Sequence, residues 1–281
     1  MPSPFLESVR EDMRLRGYSL RTEKSYLSWI KRFILFSGKR HPTELGAHEV
    51  RDFLTHLAVH RHVAINTQKI ALNALVFLYH KHLQRDLGDL GFKLATKQRH
   101  LPTVLTVTEV KLILSQLEGR NRLIIEMLYG SGLRINECLR IRVQDIDLER
   151  FGLVIHDGKG KKGRRTLLSS RLKKSLNSAI EDAVDLQRRD ARQGIGCSLP
   201  TALALKYPNA YRTPGWAYIF PASGLSANPY DGTLCRHHLH DSAVRRYLAT
   251  AVNATGIRKR VSTHTFRHSF ATHLLANGTD I

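Results

Sequence analysis

Apolar residues recur at helical spacing through most of this chain. Phe5, Leu6, Val9 and Met13 share one face, and Gly17 ends that helix. Ser19 starts a second helix that points Tyr26, Ile30, Phe33 and Ile34 inward, and Ser37-Gly38 with Pro42 closes it. Val50, Phe53, Leu54 and Leu57 mark a third. Ile70, Ala74, Leu75 and Leu78 mark a fourth, after an Asn66-Thr67 start. Four helices with short connections predict a small bundle over residues 1–84.

The pattern breaks between Arg85 and Pro102. This stretch holds closely spaced Gly and Asp residues, then Lys93, Lys97, Arg99 and His100, and reads as a basic linker between domains. Helical spacing resumes with Thr108 as a cap and Val110, Ile113, Leu114 and Leu117 inward. A helix from Asn121 follows, with Leu123, Ile124, Met127 and Leu128. Short apolar strands are expected at Phe151–His156 and Arg165–Leu168, as the arms of a hairpin. Leu172, Leu176, Ile180 and Val184 return to helical period, residues 193–229 are loop-rich, and Val244, Tyr247, Leu248 and Val252 form another helix. In the last one Phe266, Phe270 and Leu274 recur every four residues, between the caps Ser262 or Thr263 and the stop Asn277-Gly278. The expected fold class is mainly α with a small antiparallel β-sheet: a four-helix domain at 1–84, a linker at 85–102, and an α+β domain at 103–281.

Charge narrows the class of partner. Lys and Arg total 44 against 24 Asp and Glu, a net charge of +20 over 281 residues. That excess points to a polyanion, most simply nucleic acid. No apolar run approaches membrane-span length, and Glu7, Arg10, Glu11 and Asp12 interrupt any amino-terminal signal, so no membrane partner is expected. Cys138, Cys197 and Cys235 form no C-x-x-C pair, which suits a reducing cytoplasm.

Three stretches carry candidate chemistry. Gly130-Ser131-Gly132-Leu133-Arg134 delivers an arginine from a tight turn to a helix start. Arg134 there could meet a phosphate or pair with a nearby carboxylate such as Glu137, and this stretch alone does not choose. Gly158-Lys159-Gly160-Lys161-Lys162-Gly163-Arg164 forms a basic hairpin tip, whose small glycines would let Lys159 reach into a site. His264 and Arg267, three residues apart, project from one side of a helix start, an arrangement suited to an anion. Tyr207, Tyr211, Trp216, Tyr218 and Phe220 lie beside Lys206 and Arg212. They either stack on unpaired bases or pack a local core. Arg236-His237-His238-Leu239-His240 near Cys235 lacks a second ligand pair at standard spacing, so a metal site is a poor reading.

Taken together and in this order, Gly-Ser-Gly-Leu-Arg134, Gly-Lys159-Gly and His264-Thr-Phe-Arg267-His-Ser-Phe-Ala-Thr-His resemble the tyrosine recombinase (phage integrase) family. Lys206-Tyr-Pro-Asn-Ala, Gly215-Trp216, Phe220-Pro221 and Arg236-His-His-Leu-His240 resemble the extra segment of integron integrases, placed near 193–229. The resemblance implies a SAM-like core-binding domain followed by a catalytic domain. It implies strand cleavage and rejoining through a 3′-phosphotyrosyl bond, to integrate and excise gene cassettes, with no metal or nucleotide cofactor. Arg134 and Arg267 would hold the phosphate, Lys159 would protonate the leaving 5′-oxygen, and His264 would assist proton transfer. Lys161, Lys162, Arg164, Lys97, Arg99, Trp216 and His240 are expected DNA contacts. The partners implied are duplex DNA, folded single-stranded recombination sites and three further copies in a homotetramer, at the bacterial nucleoid. The family places a second His or Trp and the nucleophilic Tyr after this helix, whereas every tyrosine here precedes His264. The sequence reading is therefore a carboxy-terminally truncated integrase, inactive as written; the alternative is a non-catalytic protein that occupies recombination sites.

Overall fold

A computed structural model describes residues 3–91, 101–156, 163–199 and 201–278. The chain divides into two compact units, Met1–His100 and Leu101–Ile281, each with its own apolar core. Among the described residues no helix is long and apolar enough to cross a membrane.

The first unit packs α1 (Pro4–Leu15), α2 (Leu20–Phe36), α3 (Ala47–Thr55) and α4 (Ile65–Val76). The Ser19 hydroxyl accepts the Thr22 amide at 3.2 Å and caps α2, as its position predicts. Val9, Met13, Ile30, Phe33, Val50 and Leu75 meet in the core. Beneath them the buried Glu23 of α2 accepts from Arg14 of α1 at 2.9 Å, so the two helices are joined by charge as well as by apolar contact. Helices α3 and α4 each run on into a wider π turn, at His56–His60 and Phe77–His82. Ile70 faces outward, contrary to its expected place on the packed stripe of α4. Leu72 and Val76 make α4 apolar on more than one side, so its pattern does not choose the buried face. Residues 85–91, expected as linker, lie on this unit: Leu87 is buried, Arg85 donates to the Thr43 carbonyl, and Arg51 donates to the Leu90 carbonyl at 2.7 Å.

The second unit opens with α5 (Val107–Ser115). Its cap is Thr106, not the expected Thr108: the Thr106 hydroxyl accepts the Glu109 amide at 3.1 Å while the Glu109 carboxylate accepts the Thr106 amide at 2.7 Å. A glutamate three residues on makes this box possible for Thr106 and not for Thr108. Then come α6 (Gly119–Gly130) and the short α7 (Ile135–Leu139). Next, β1 (Ile146–Asp147), β2 (Gly152–Ile155) and β3 (Arg164–Leu167) form the expected antiparallel sheet in sequence order. The long helix α8 (Lys173–Arg192) leads to a second small sheet that hydrophobic periodicity did not announce. It holds β4 (Gly196–Cys197), β5 (Ser226–Ala227) and β6 (Leu234–Arg236) in the order β4-β6-β5, with α9 (Thr201–Lys206) between β4 and β5. Strands of two or three residues are too short to show alternation. Helices α10 (Asp241–Ala254) and α11 (Thr263–Ala276) complete the unit, and α11 lies against α6.

Candidate phosphate-binding active site

The site is built where the end of α6, the start of α7, β3 and α11 converge. Gly132 shapes the turn. Its φ of +60° is strained for any residue with a Cβ, and such an atom would also fall 2.6 Å from the Phe270 ring of α11. The turn is tied on both sides, because the Gly132 carbonyl accepts Arg267 and the Ser131 carbonyl accepts the Thr166 hydroxyl of β3 at 3.3 Å. Tyr129 and His273 reinforce the α6–α11 contact with a hydroxyl–imidazole hydrogen bond of 2.7 Å.

Glu137 is the centre of the charge arrangement. Its carboxylate is buried and accepts the Arg134 amide at 2.8 Å and Arg134 Nη1 at 2.7 Å. Arg164 adds a fork, with Nη1 and Nη2 each 2.9 Å from one carboxylate oxygen. Arg267 Nη1 stands 3.6 Å from the same group. Burial alone would raise the Glu137 pKa, but the Arg164 and Arg134 hydrogen bonds prevail and hold it at about 2. Glu137 is therefore ionised at any physiological pH. Three guanidinium groups still face one carboxylate, which leaves the cluster two charges positive. Burial first, and then the Arg134 and Arg164 charges, push Arg267 below its ordinary value, although Glu137 pulls the other way. Each of the three arginine side chains keeps about a third of its surface open, between 32% and 35%. The cluster is positive, held in place and reachable from solvent, which is the physical description of an anion site.

His264 stands one helical turn before Arg267, on the exposed side of α11. Partial burial lowers its pKa first, followed by His268, Arg245, Arg134 and Arg267. A neutral imidazole beside a positive cluster can take a proton. Of the two partners open to Arg134 from the sequence, the structure shows the carboxylate: it pairs with Glu137, and the pairing leaves positive charge over. Of the expected contacts, Arg164 sits on β3 and turns into the cluster, not onto the hairpin tip. Lys159, Lys161, Lys162, Lys97 and Arg99 lie outside the described residues.

Trp216 and His240 lie in a different setting. Buried Arg142 organises it: Nη1 donates to the Trp216 carbonyl at 2.6 Å, and Nη2 donates to the Ser198 carbonyl at 2.9 Å and the Tyr218 hydroxyl at 2.8 Å. Its guanidinium lies 4.1 Å from the Tyr218 ring centre and 5.2 Å from that of Trp216. Arg236 clamps Asp190 of α8 with two guanidinium nitrogens and reaches the Ala222 carbonyl at 2.8 Å. Tyr218 is buried, while Trp216 is only half-buried. The local-core role therefore holds for Tyr218. The rings of His237 and His238 lie 4.1 Å apart at a tilt and each meets Tyr218 edge-on, and loss of hydration with nearby positive charge lowers the His237 pKa to about 4. His240 is exposed, and its Nδ1 accepts the Ser242 amide at 3.2 Å to cap α10.

Residues 5–89 match the phage integrase N-terminal SAM-like domain, and residues 103–281 match the phage integrase family. The chain belongs to the phage integrase family of tyrosine recombinases. It is 42% identical over 278 residues to an integrase/recombinase of Escherichia coli, covering 98% of this chain and 82% of that protein. It is 29% identical to tyrosine recombinase XerC of Syntrophus aciditrophicus, over 95% of this chain and 82% of that protein. Its fold is similar to that of the XerH site-specific recombinase bound to difH substrate in a pre-cleavage complex, with a TM-score of 0.60 and 20% identity over 99% of this chain and 75% of that one. Membership accounts for the two-unit architecture. Sequence reasoning had found Arg134 and Arg267 but not the Glu137–Arg164 fork. The i,i+3 spacing of Arg134 and Glu137 was a visible signal, whereas the Arg164 partnership depends on strand pairing.

Proposed function

We propose that this tyrosine recombinase acts in cleaving and rejoining DNA at specific sites: a tyrosine hydroxyl, which in the family follows the His264–Arg267 helix, bonds to the scissile phosphorus as the P–O5′ bond breaks, with Arg134 and Arg267 holding the phosphate, His264 assisting proton transfer and Lys159 protonating the 5′-oxygen that leaves. The observation that carries the reading is the excess of positive charge around Glu137. A buried carboxylate with one arginine would be a structural pair; with three it leaves a place for a second anion. A phosphodiester in cleavage passes through a phosphorane with added negative charge, and aimed guanidinium groups stabilise that state more than the ground state. The net charge of +20 supports binding along the rest of the DNA backbone.

The finer reading is an integron-type integrase that moves gene cassettes, assembles as a homotetramer on DNA and accepts a folded single strand as well as duplex. The segment at 193–240 supports it, since Arg142 fixes Trp216 with part of its ring surface exposed, a stance suited to stacking on an unpaired base. Gel shifts with a bulged hairpin and with the same sequence as full duplex test this. The hairpin is expected to bind roughly tenfold more tightly, an energy equal to one stacked base. Trp216→Ala should remove most of that preference without lowering the melting temperature. Equal affinity for both DNAs would end the finer reading. Strand exchange by the chain extended with the family's tyrosine-bearing segment tests the broader one: DNA binding with no exchange even then would leave a protein that only occupies recombination sites.

A further inference from the structure

Arg164 and Arg165 are adjacent, carry the same charge and point to opposite faces of β3. Arg164 and Thr166 turn toward the Ser131–Glu137 stretch, whereas Arg165 and Leu167 are exposed. Strand alternation makes this division, and pairing of Arg164 with Ile155 fixes the register. The Arg164 guanidinium meets the Glu137 carboxylate in a parallel fork, the strongest geometry for such a pair.

That fork has a consequence for Arg134. A glutamate three residues after an arginine can itself form a two-pronged pair with it. Here it does not: Glu137 spends its oxygens on both Arg164 nitrogens and on the Arg134 amide, and only Nη1 of the Arg134 side chain donates to it. We infer that Arg164 is a positioning residue, which occupies Glu137 and so leaves the outer nitrogens of Arg134 turned toward an incoming phosphate. Its part is played through Glu137, not through contact with DNA. The inference rests on the reading of Arg134 and Arg267 as the phosphate-holding pair.

Lysine at position 164 separates geometry from charge, because an ammonium keeps the charge but cannot form the fork. The full chain is titrated with inorganic phosphate while the arginine Nε–H signals are followed, and duplex DNA binding is measured alongside. Arg164→Lys is expected to weaken phosphate binding at least tenfold while duplex affinity stays within about threefold. Arg165→Lys should change neither. A double-mutant cycle with Glu137→Gln, with the melting temperature of every variant measured alongside, separates coupling from a folding defect. If Arg164 acts through Glu137, the double variant binds phosphate no more weakly than Glu137→Gln alone. Unchanged phosphate affinity in Arg164→Lys, or fully additive losses in the cycle, would overturn the inference. Failure of the underlying reading looks different: Arg134→Ala and Arg267→Ala would then leave phosphate binding by the unmutated-164 protein as it was.

Discussion

Two groups of arginines in the second unit differ in one respect that matters for function. Arg134, Arg164 and Arg267 share a single carboxylate and remain partly open. Arg142 and Arg236 are more deeply covered and are consumed by carbonyls, a phenol and Asp190. The first group has donors and charge left over; the second is satisfied by the fold around it. Residue type alone would not separate them. Counting partners does, because a buried cation that is fully matched stabilises structure, whereas one that is undermatched is available to a ligand.

The comparison predicts opposite profiles. In the chain extended with the family's tyrosine-bearing segment, Arg134→Ala or Arg267→Ala should reduce strand exchange by roughly a hundredfold to a thousandfold, the usual scale for losing a donor aimed at developing charge. DNA affinity and melting temperature should change little. Asp190→Asn should do the reverse. It leaves Arg236, whose side chain is 12% exposed, without its counter-ion, so about 3 kcal/mol of stability should be lost. A measured loss below about 1 kcal/mol in chemical denaturation would remove the contrast.

Acid provides the third test. The Glu137 carboxyl is shifted down from 4.5 to about 2, so its contribution is complete above its unfolded value and is lost as pH falls toward 2. The shift corresponds to roughly 3 kcal/mol, and Glu137→Gln should flatten the stability profile between about pH 4.5 and 2 by that order. His237 acts in a different window. Its folded value lies near 4, below the ordinary 6.5, so the unfolded chain takes up the proton first and stability falls as pH drops from 6.5 to 4. His237→Asn should reduce that slope modestly, because the ring is partly solvated. Gly132→Ala should cost about 1–3 kcal/mol from its left-handed φ, with further loss from the Phe270 contact.

Most of the fold was legible in the sequence because its helices are long and amphipathic. Ser19, Gly17 and the Gly-Ser-Gly turn mark boundaries by local chemistry, and local chemistry is what a sequence displays. The second sheet was not legible, since its strands are two or three residues long and are held by Arg236 and Asp190, which lie far apart in the chain. The same reason divides the site. Arg134, Glu137, His264 and Arg267 stand at helical spacings that reveal shared faces. The Arg164 fork and the Gly132–Arg267 tie arise only when strand and helix are brought together.

The most direct measurement is the structure of this chain bound to a recombination-site hairpin. The account predicts one phosphodiester whose non-bridging oxygens accept from both Arg134 and Arg267, while Glu137 keeps its fork with Arg164. DNA whose phosphates bypass this cluster, with Arg134 and Arg267 still paired only to Glu137 and the Gly132 carbonyl, would contradict it.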